Sequence, residues 1–135
     1  MKQILLALTV ALLALSPAFA QEKSAVNKKN LVVKEWNTNG KGARTLDHIT
    51  YYSPEGRKID ETEYDSYGKQ RWRKRYEWGE NGRMTRELVY DERNRLVNYK
   101  AFEYNEFGKK KTQYTYDPKG KLISTKVYEY ITQDA

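Results

Sequence analysis

The stretch of chain best suited to binding chemistry is Gln70–Trp78, in which basic and aromatic residues are interleaved. Bases of this kind attract anionic groups, and aromatic rings stack on sugars or nucleobases. On a β-strand, alternate side chains point to opposite faces, so the rings and the arginines separate. Trp72, Tyr76 and Trp78 then share one face with Lys74. This separation favours stacking of sugar rings and disfavours a nucleic-acid groove.

The same combination of rings and lysines returns twice along the chain, at one fixed interval. A strip of repeated contacts suits an extended, repeating or multivalent ligand, because each unit adds one similar contact. The alternative is that these rings only hold a sheet together by packing across strands. The candidate binding residues are Trp72, Lys74, Tyr76, Trp78, Lys100, Phe102, Tyr104, Lys126, Tyr128 and Tyr130.

Catalytic and metal chemistry find little support in the residue types. His48 is the only histidine, and the chain has no cysteine, so a zinc site of the usual ligands is excluded. Asp60, Glu61 and Glu63 cluster, but a glycosidase needs two carboxyls at a defined separation in a cleft. A flat sheet offers no such cleft, and these acids are explained as lateral partners of Lys and Arg. We predict no catalytic residue, no metal, no cofactor and no enzymatic activity.

The elements that carry these residues belong to an internal repeat. Three contiguous blocks of 26 residues span 56–81, 82–107 and 108–133. We call this length the repeat period. Matching columns include a Tyr-Asp pair, a lysine and a final aromatic residue. The Tyr-Asp pairs are Tyr64-Asp65, Tyr90-Asp91 and Tyr116-Asp117.

Each block contains two turn signals, at which Gly or Asn closes a short polar loop. The last residue of such a loop takes a positive φ, which Gly adopts freely and Asn tolerates. An earlier signal is seen at Trp36–Gly40, which predicts a divergent first unit with two extra residues. The predicted structural turns lie at Gly56, Gly68, Gly82, Asn94, Gly108 and Gly120.

The segments between turns have strand lengths and strand residues, with no helical periodicity. Strands joined by four-residue turns are antiparallel neighbours. Both faces mix apolar and charged residues, unlike the faces of a sandwich. We therefore predict an all-β fold over residues 31–135: an antiparallel β-meander of tandem hairpins with seven or eight strands, in a single-layer curved sheet.

A trial register assigns further residues to the two faces. It pairs Tyr64 with Lys69 and Trp78 with Arg83, and it places Lys74 opposite Glu87. The face of the candidate binding residues, here called the aromatic face, then also holds Leu96 and Leu122. The opposite face, here called the arginine face, holds Met84, Arg71, Arg73, Arg75 and Arg86.

The recurring Tyr-Asp-x-x-Gly-Lys/Arg at 64–69 and 116–121, with an Asn variant at 90–95, resembles the YD repeat of Rhs-type proteins. The match covers about residues 48–130. The chain as a whole also resembles small exported YD-repeat-like proteins. The resemblance implies β-hairpin building blocks. It supplies no catalytic residue, because the sequence shows no autoproteolytic core and no toxin segment.

The first twenty residues have the layout of a secretory signal peptide: Lys2, an apolar run, and a small-x-small cleavage site at Ala18-Phe19-Ala20. Residues 21–30 are expected to form a flexible lead. We predict a periplasmic or extracellular product with no membrane span after cleavage. The net charge of +7 favours anionic partners.

Two functions from different classes fit these observations. The first is an exported, non-catalytic binding module that recognises a glycan or a protein at the cell envelope through the aromatic face. The second is a structural or self-associating envelope protein, a homo-oligomer that uses the aromatic face as its assembly interface. The sequence does not identify the ligand.

Overall fold

The computed structural model of the protein describes residues 26–134. The predicted signal peptide, 1–20, and residues 21–25 of the predicted lead lie outside this range. Within it the chain forms no helix. The strands are β1 (Val32–Thr38), β2 (Arg44–Tyr52), β3 (Lys58–Tyr64), β4 (Gln70–Trp78), β5 (Met84–Tyr90), β6 (Leu96–Tyr104), β7 (Lys110–Tyr116) and β8 (Leu122–Val127).

The eight strands form one sheet in the order β1-β2-β3-β4-β5-β6-β7-β8, and all neighbours are antiparallel. The predicted all-β meander is confirmed. Among the described strands, only sequence neighbours contact each other, so the sheet is a single layer. The curvature predicted with it is not observed. The first and last strands do not meet, and the sheet is open and uncurled.

The repeat extends further toward the N-terminus than the sequence indicated. β1 and β2 begin one repeat period before β3 and β4, and they have the same lengths. The first turn closes at Gly42, with φ 81°, and Asn30 occupies the next equivalent position upstream with φ 53°. The predicted half-unit ending at Gly40 is therefore wrong, and so are the two extra residues. The structure contains four units in register.

The turns that close each unit's own hairpin are built by one acidic or amide side chain. Asp65 Oδ1 accepts hydrogen bonds from the backbone N–H groups of Tyr67 and Lys69, both at 2.9 Å. A side chain that mimics a backbone acceptor in this way fixes the turn locally. Asn39, Asp91 and Asp117 make the equivalent pairs of bonds.

A β-bulge beside each turn from β2 to β8 changes the register that the sequence predicted. Between β1 and β2 the shift lies at Glu35/Trp36, away from the turn. Tyr64 lies opposite Gln70 rather than Lys69, and Trp78 lies opposite Met84 rather than Arg83. Residues next to a turn therefore change face, while mid-strand residues keep theirs. Met84 shares the aromatic face with Trp78, and Leu96 and Leu122 lie on the arginine face, opposite Tyr90 and Tyr116. These three assignments were wrong.

The sheet has almost no interior. Among the described residues Ile49 is the only buried apolar side chain, and no side chain is fully enclosed. Most Tyr and Trp rings are half-buried, with one edge packed against a neighbouring strand. Stability therefore comes from cross-strand pairs and the backbone ladder, not from a packed core.

Candidate functional site

The last three units each carry one anchored ring on the aromatic face, at equivalent positions. Trp78 Nε1 donates to the carbonyl oxygen of Lys58 at 2.7 Å. Tyr104 and Tyr130 donate their hydroxyls to the carbonyls of Met84 and Lys110, each at 2.6 Å. Each ring thus reaches back to the start of the preceding strand. These bonds join the two strands of each unit's hairpin at its open end.

A base lies over each anchored ring, again once per unit. The guanidinium of Arg57 is 5.8 Å from the Trp78 ring centre, and that of Arg83 is 5.7 Å from Tyr104. Lys109 Nζ is 5.5 Å from Tyr130. Such cation–π contacts keep the charges at the surface of the face. These bases were not among the residues predicted from the sequence, although each follows directly after a turn glycine at the repeat period.

In the N-terminal half of the aromatic face, the charged and polar groups pair with each other. Trp72 Nε1 donates to Glu63 at 2.7 Å. Lys74 lies directly opposite Glu61 and Val89, and its ammonium forms an ion pair with the diagonal Glu87 at 3.4 Å. The predicted direct opposition of Lys74 and Glu87 is therefore wrong, although the ion pair forms.

Glu61 is the centre of a small polar cluster on this half. It accepts hydrogen bonds from Tyr76 and Lys58, and it pairs with His48 Nε2 at 3.2 Å. Burial acts to raise the pKa of Glu61, but the bonds from Tyr76, His48 and Lys58 together hold its pKa below the ordinary value. Burial, together with the bond to Glu61, raises the pKa of the Tyr76 hydroxyl.

His48 occupies the repeat position that holds Lys74, Lys100 and Lys126 in the later units. Its contact with Glu61 is the same cross-strand pair as Lys74 with Glu87, one unit earlier. His48 also packs edge-on against Trp72, with ring centres 5.5 Å apart. The repeat thus gives this histidine a structural explanation.

The C-terminal half of the aromatic face has a different charge balance. The acid column of Glu61 and Glu87 continues as Gln113, and Glu63 is replaced by Val89 and then Thr115. The lysine column remains, and Lys110 joins it over the Phe102 ring at 4.5 Å. On strands β6 to β8 this face holds no carboxylate. We call this area the basic aromatic patch: Lys100, Phe102, Tyr104, Lys110, Lys126, Tyr128 and Tyr130.

Asn98 lies beside the basic aromatic patch, at the position that Trp72 holds two strands earlier. Its Oδ1 is buried and has no hydrogen-bond partner within the described residues. Its neighbour across the strand is Val89, where the earlier unit has Glu63. An unpaired buried acceptor of this kind is costly in a native protein.

The arginine face carries a depression of about 650 Å³. Its main charged groups already pair: Arg73 forms a bidentate contact with Asp60 at 2.7 Å to Oδ2 and 3.2 Å to Oδ1, and Arg75 lies 3.7 Å from the same carboxylate. Arg86 pairs with Glu77 at 2.7 Å. Volume alone thus favours this face, but the unpaired positive charge favours the basic aromatic patch.

Of the predicted binding residues, the structure brings six together in the basic aromatic patch and places the other four in the N-terminal half. Those four are Trp72, Lys74, Tyr76 and Trp78, and each has an internal partner. Between residues 26 and 134 no group of three or more metal-ligating side chains could hold an ion. The same part of the chain contains no helix long and apolar enough to cross a membrane.

No protein-family model matches the chain, and no curated protein matches it. Among solved structures, the chain is similar to a protein with unknown function from Bacteroides fragilis NCTC 9343, at 13% identity and a TM-score of 0.25. The match covers 73% of this chain and 93% of that one. At this level the similarity supports no statement about fold or function.

Proposed function

We propose that this protein is an exported, non-catalytic binding module, built from YD-type hairpin repeats, that holds an extended acidic glycan on the basic aromatic patch. The observation that carries the proposal is the change of the acid column from Glu87 to Gln113 in the last unit, while the lysine column continues. Unpaired ammonium groups beside half-exposed rings favour a ligand that offers both anionic groups and sugar faces.

The spacing of the patch suits a polymer. Lys100 and Lys126 lie on β6 and β8, two strands apart, which corresponds to about 9.5 Å across the sheet. Phe102 and Tyr128 repeat at the same interval. A chain of sugars laid across the strands would meet a base and a ring at each step. Export places such a module where envelope or extracellular glycans occur.

The hydrogen bonds and ion pairs that already occupy the carboxylate of Glu61 also favour a binding role over catalysis. The Glu61 cluster is saturated by its own neighbours, and the repeat accounts for its geometry. The open sheet has no cleft that would exclude water from a reacting bond.

The test is binding of the full exported chain to polygalacturonate, an acidic glycan, with neutral dextran as the comparison. We expect polygalacturonate to bind and dextran not to bind. Lys100→Ala/Lys126→Ala should weaken binding at least about tenfold, since two ion contacts are lost. Lys41→Ala/Lys119→Ala is the matched control, because it removes the same charge from exposed turns.

Equal binding by both double variants would show that only net charge matters and would contradict the proposal. A dimer that dissociates on Phe102→Ala/Tyr128→Ala, with no glycan binding in the wild type, would support the alternative of self-association through the aromatic face. Circular dichroism of each variant checks that the sheet remains folded.

A further inference from the structure

The outer edges of β1 and β8 pair with no strand among the described residues. Such edges present a row of free backbone donors and acceptors, and natural sheets usually protect them. Both edges also expose apolar side chains: Val32 and Trp36 on β1 are each 44% exposed, and Val127 on β8 is 67% exposed. The two edges are therefore candidate contact surfaces.

We infer that a second copy of this chain is the occupant of these edges, with β8 of one copy pairing antiparallel with β1 of the next. The repeat supports this pairing. β1 is the equivalent of β5, and β8 is the equivalent of β4, so the pair β8 and β1 repeats the internal junction of β4 with β5. This inference goes beyond glycan binding and does not depend on it.

The register of the β4–β5 pair predicts the register of the proposed pair between β8 of one copy and β1 of the next. Tyr76 lies opposite Glu87, and Glu77 lies opposite Arg86. Transferred by the repeat, Tyr128 faces Glu35 of the second copy, and Glu129 faces Lys34 of the second copy.

The charges on the two edges match in this register. Inside the sheet, Lys74 forms an ion pair with Glu87, and Glu77 forms one with Arg86. The equivalent residues are Lys126 with Glu35, and Glu129 with Lys34. Both pairs keep opposite signs, and each of these four residues is exposed with no ion-pair partner within the described residues. Charged residues on an edge strand can serve only to prevent pairing with other strands. That role does not require the charges on one edge to be opposite to those on the other edge.

The apolar residues match as well. Arg75 lies opposite Leu88 in the internal junction, and the equivalent contact sets Val127 against Trp36 of the second copy. Trp78 lies opposite Met84, and the equivalent contact sets Tyr130, itself 52% exposed, against Val32. The junction would cover the apolar side chains that the isolated sheet leaves exposed at its edges.

The contact joins two different edges, so each copy keeps one free edge after binding. Such a heterologous contact adds copies without limit unless the rotation closes a ring. Because β-sheets twist with a fixed hand, the expected product is an open filament whose strands run across its axis. The aromatic face continues through each junction at the same period.

The test uses the Glu129–Lys34 pair, which lies outside the basic aromatic patch, and measures mass against concentration by sedimentation. We expect the wild-type mass to rise with concentration beyond a dimer. Lys34→Glu alone and Glu129→Lys alone should each weaken association at least about tenfold, because like charges then face each other. An equimolar mixture of the two variants should restore it, since alternating copies again pair opposite charges.

The control reversals Lys119→Glu and Glu92→Lys, at exposed turns, should associate like the wild type. A wild type that stays monomeric at every concentration would overturn the inference. So would single reversals that associate normally, or a mixture that is not restored. Glycan binding is absent from this assay, so its result is separate from that of the proposed function.

Discussion

At the scale of single residues, the repeat column decides what each side chain does. Glu61 and Glu87 hold equivalent positions, and each pairs with the residue one strand back, His48 or Lys74. Where the column changes to Gln113, the pairing charge disappears and the lysines of the face become available. The sequence contains this change, but the register is needed to see its effect, because the partners lie on neighbouring strands.

Glu61 gives a direct test of these pairings. Its pKa is lowered in the folded protein, so its carboxylate stabilises the fold above its ordinary pKa of 4.5. That contribution is lost as the pH falls through the lower folded value. We expect Glu61→Gln to cost about 1–2 kcal/mol at pH 7, since it loses charge-assisted hydrogen bonds. The cost should shrink as the pH falls below 4.5.

Urea unfolding at a series of pH values measures this difference. Glu80→Gln is the control, since Glu80 is exposed at a turn, and it should change stability little at any pH. A Glu61→Gln cost that stays constant from pH 7 to pH 3 would mean that the Glu61 pairs do not contribute through charge.

At the scale of turns and strands, the sequence predicted the hairpins well and the first turn poorly. The Asp-x-x-Gly pattern marks a turn through local chemistry, because the acid caps backbone N–H groups two and four residues ahead. The segment from Asn39 contains two glycines, Gly40 and Gly42, and only the second completes that pattern. Because the prediction placed the turn at Gly40, it gave the first unit two residues more than the others.

The faces show a related limit. The bulges beside the turns from β2 to β8 each move the register by one residue on one strand, which exchanges the faces of Met84, Leu96 and Leu122. A strict alternation from the turn cannot show a bulge, because both registers place mid-strand residues such as Lys74 and Lys100 on the same face. The faces of the mid-strand residues of the site were therefore predictable from the sequence, but those of the residues next to the turns were not.

The two glycines of the first turn allow a test of which of them closes the turn. Gly42 has φ 81°, whereas Gly40 has no positive φ, and an added Cβ would meet no atom within 4 Å at either position. We expect Gly42→Ala to destabilise by about 1 kcal/mol or more, since only backbone strain is added. Gly40→Ala should be neutral or slightly stabilising, because it restricts the unfolded chain.

Thermal unfolding of the two variants side by side measures both effects. The reverse order, with Gly40→Ala the damaging change, would support the turn predicted from the sequence and would contradict the assignment of β1 and β2 as a regular first unit.

At the scale of the whole molecule, the sheet is a one-dimensional array in which each strand contacts only its neighbours. The absence of a thick core was predictable from the chain's 12 tyrosines and high charge. The open, uncurled shape was not, because curvature depends on small twists summed over many strands. The unpaired edges follow from that shape.

An array of this kind should lose structure from its ends. We expect amide hydrogen exchange to be slowest in β4 and β5, and to become faster toward β1 and β8, when the protein is dilute and monomeric. Exchange followed by mass spectrometry of peptides resolves the strands. Uniform protection across all eight strands would indicate contacts that a single-layer sheet does not contain.

The central claim is that the basic aromatic patch, and not the depression on the arginine face, holds an acidic glycan. The most direct measurement is a nuclear magnetic resonance titration of the protein with a short oligogalacturonate. We predict that the shifted side-chain and amide signals cluster at Asn98, Lys100, Phe102, Lys126 and Tyr128. Shifts centred on Tyr51, Arg73 and Arg75, with the patch unchanged, would contradict the claim.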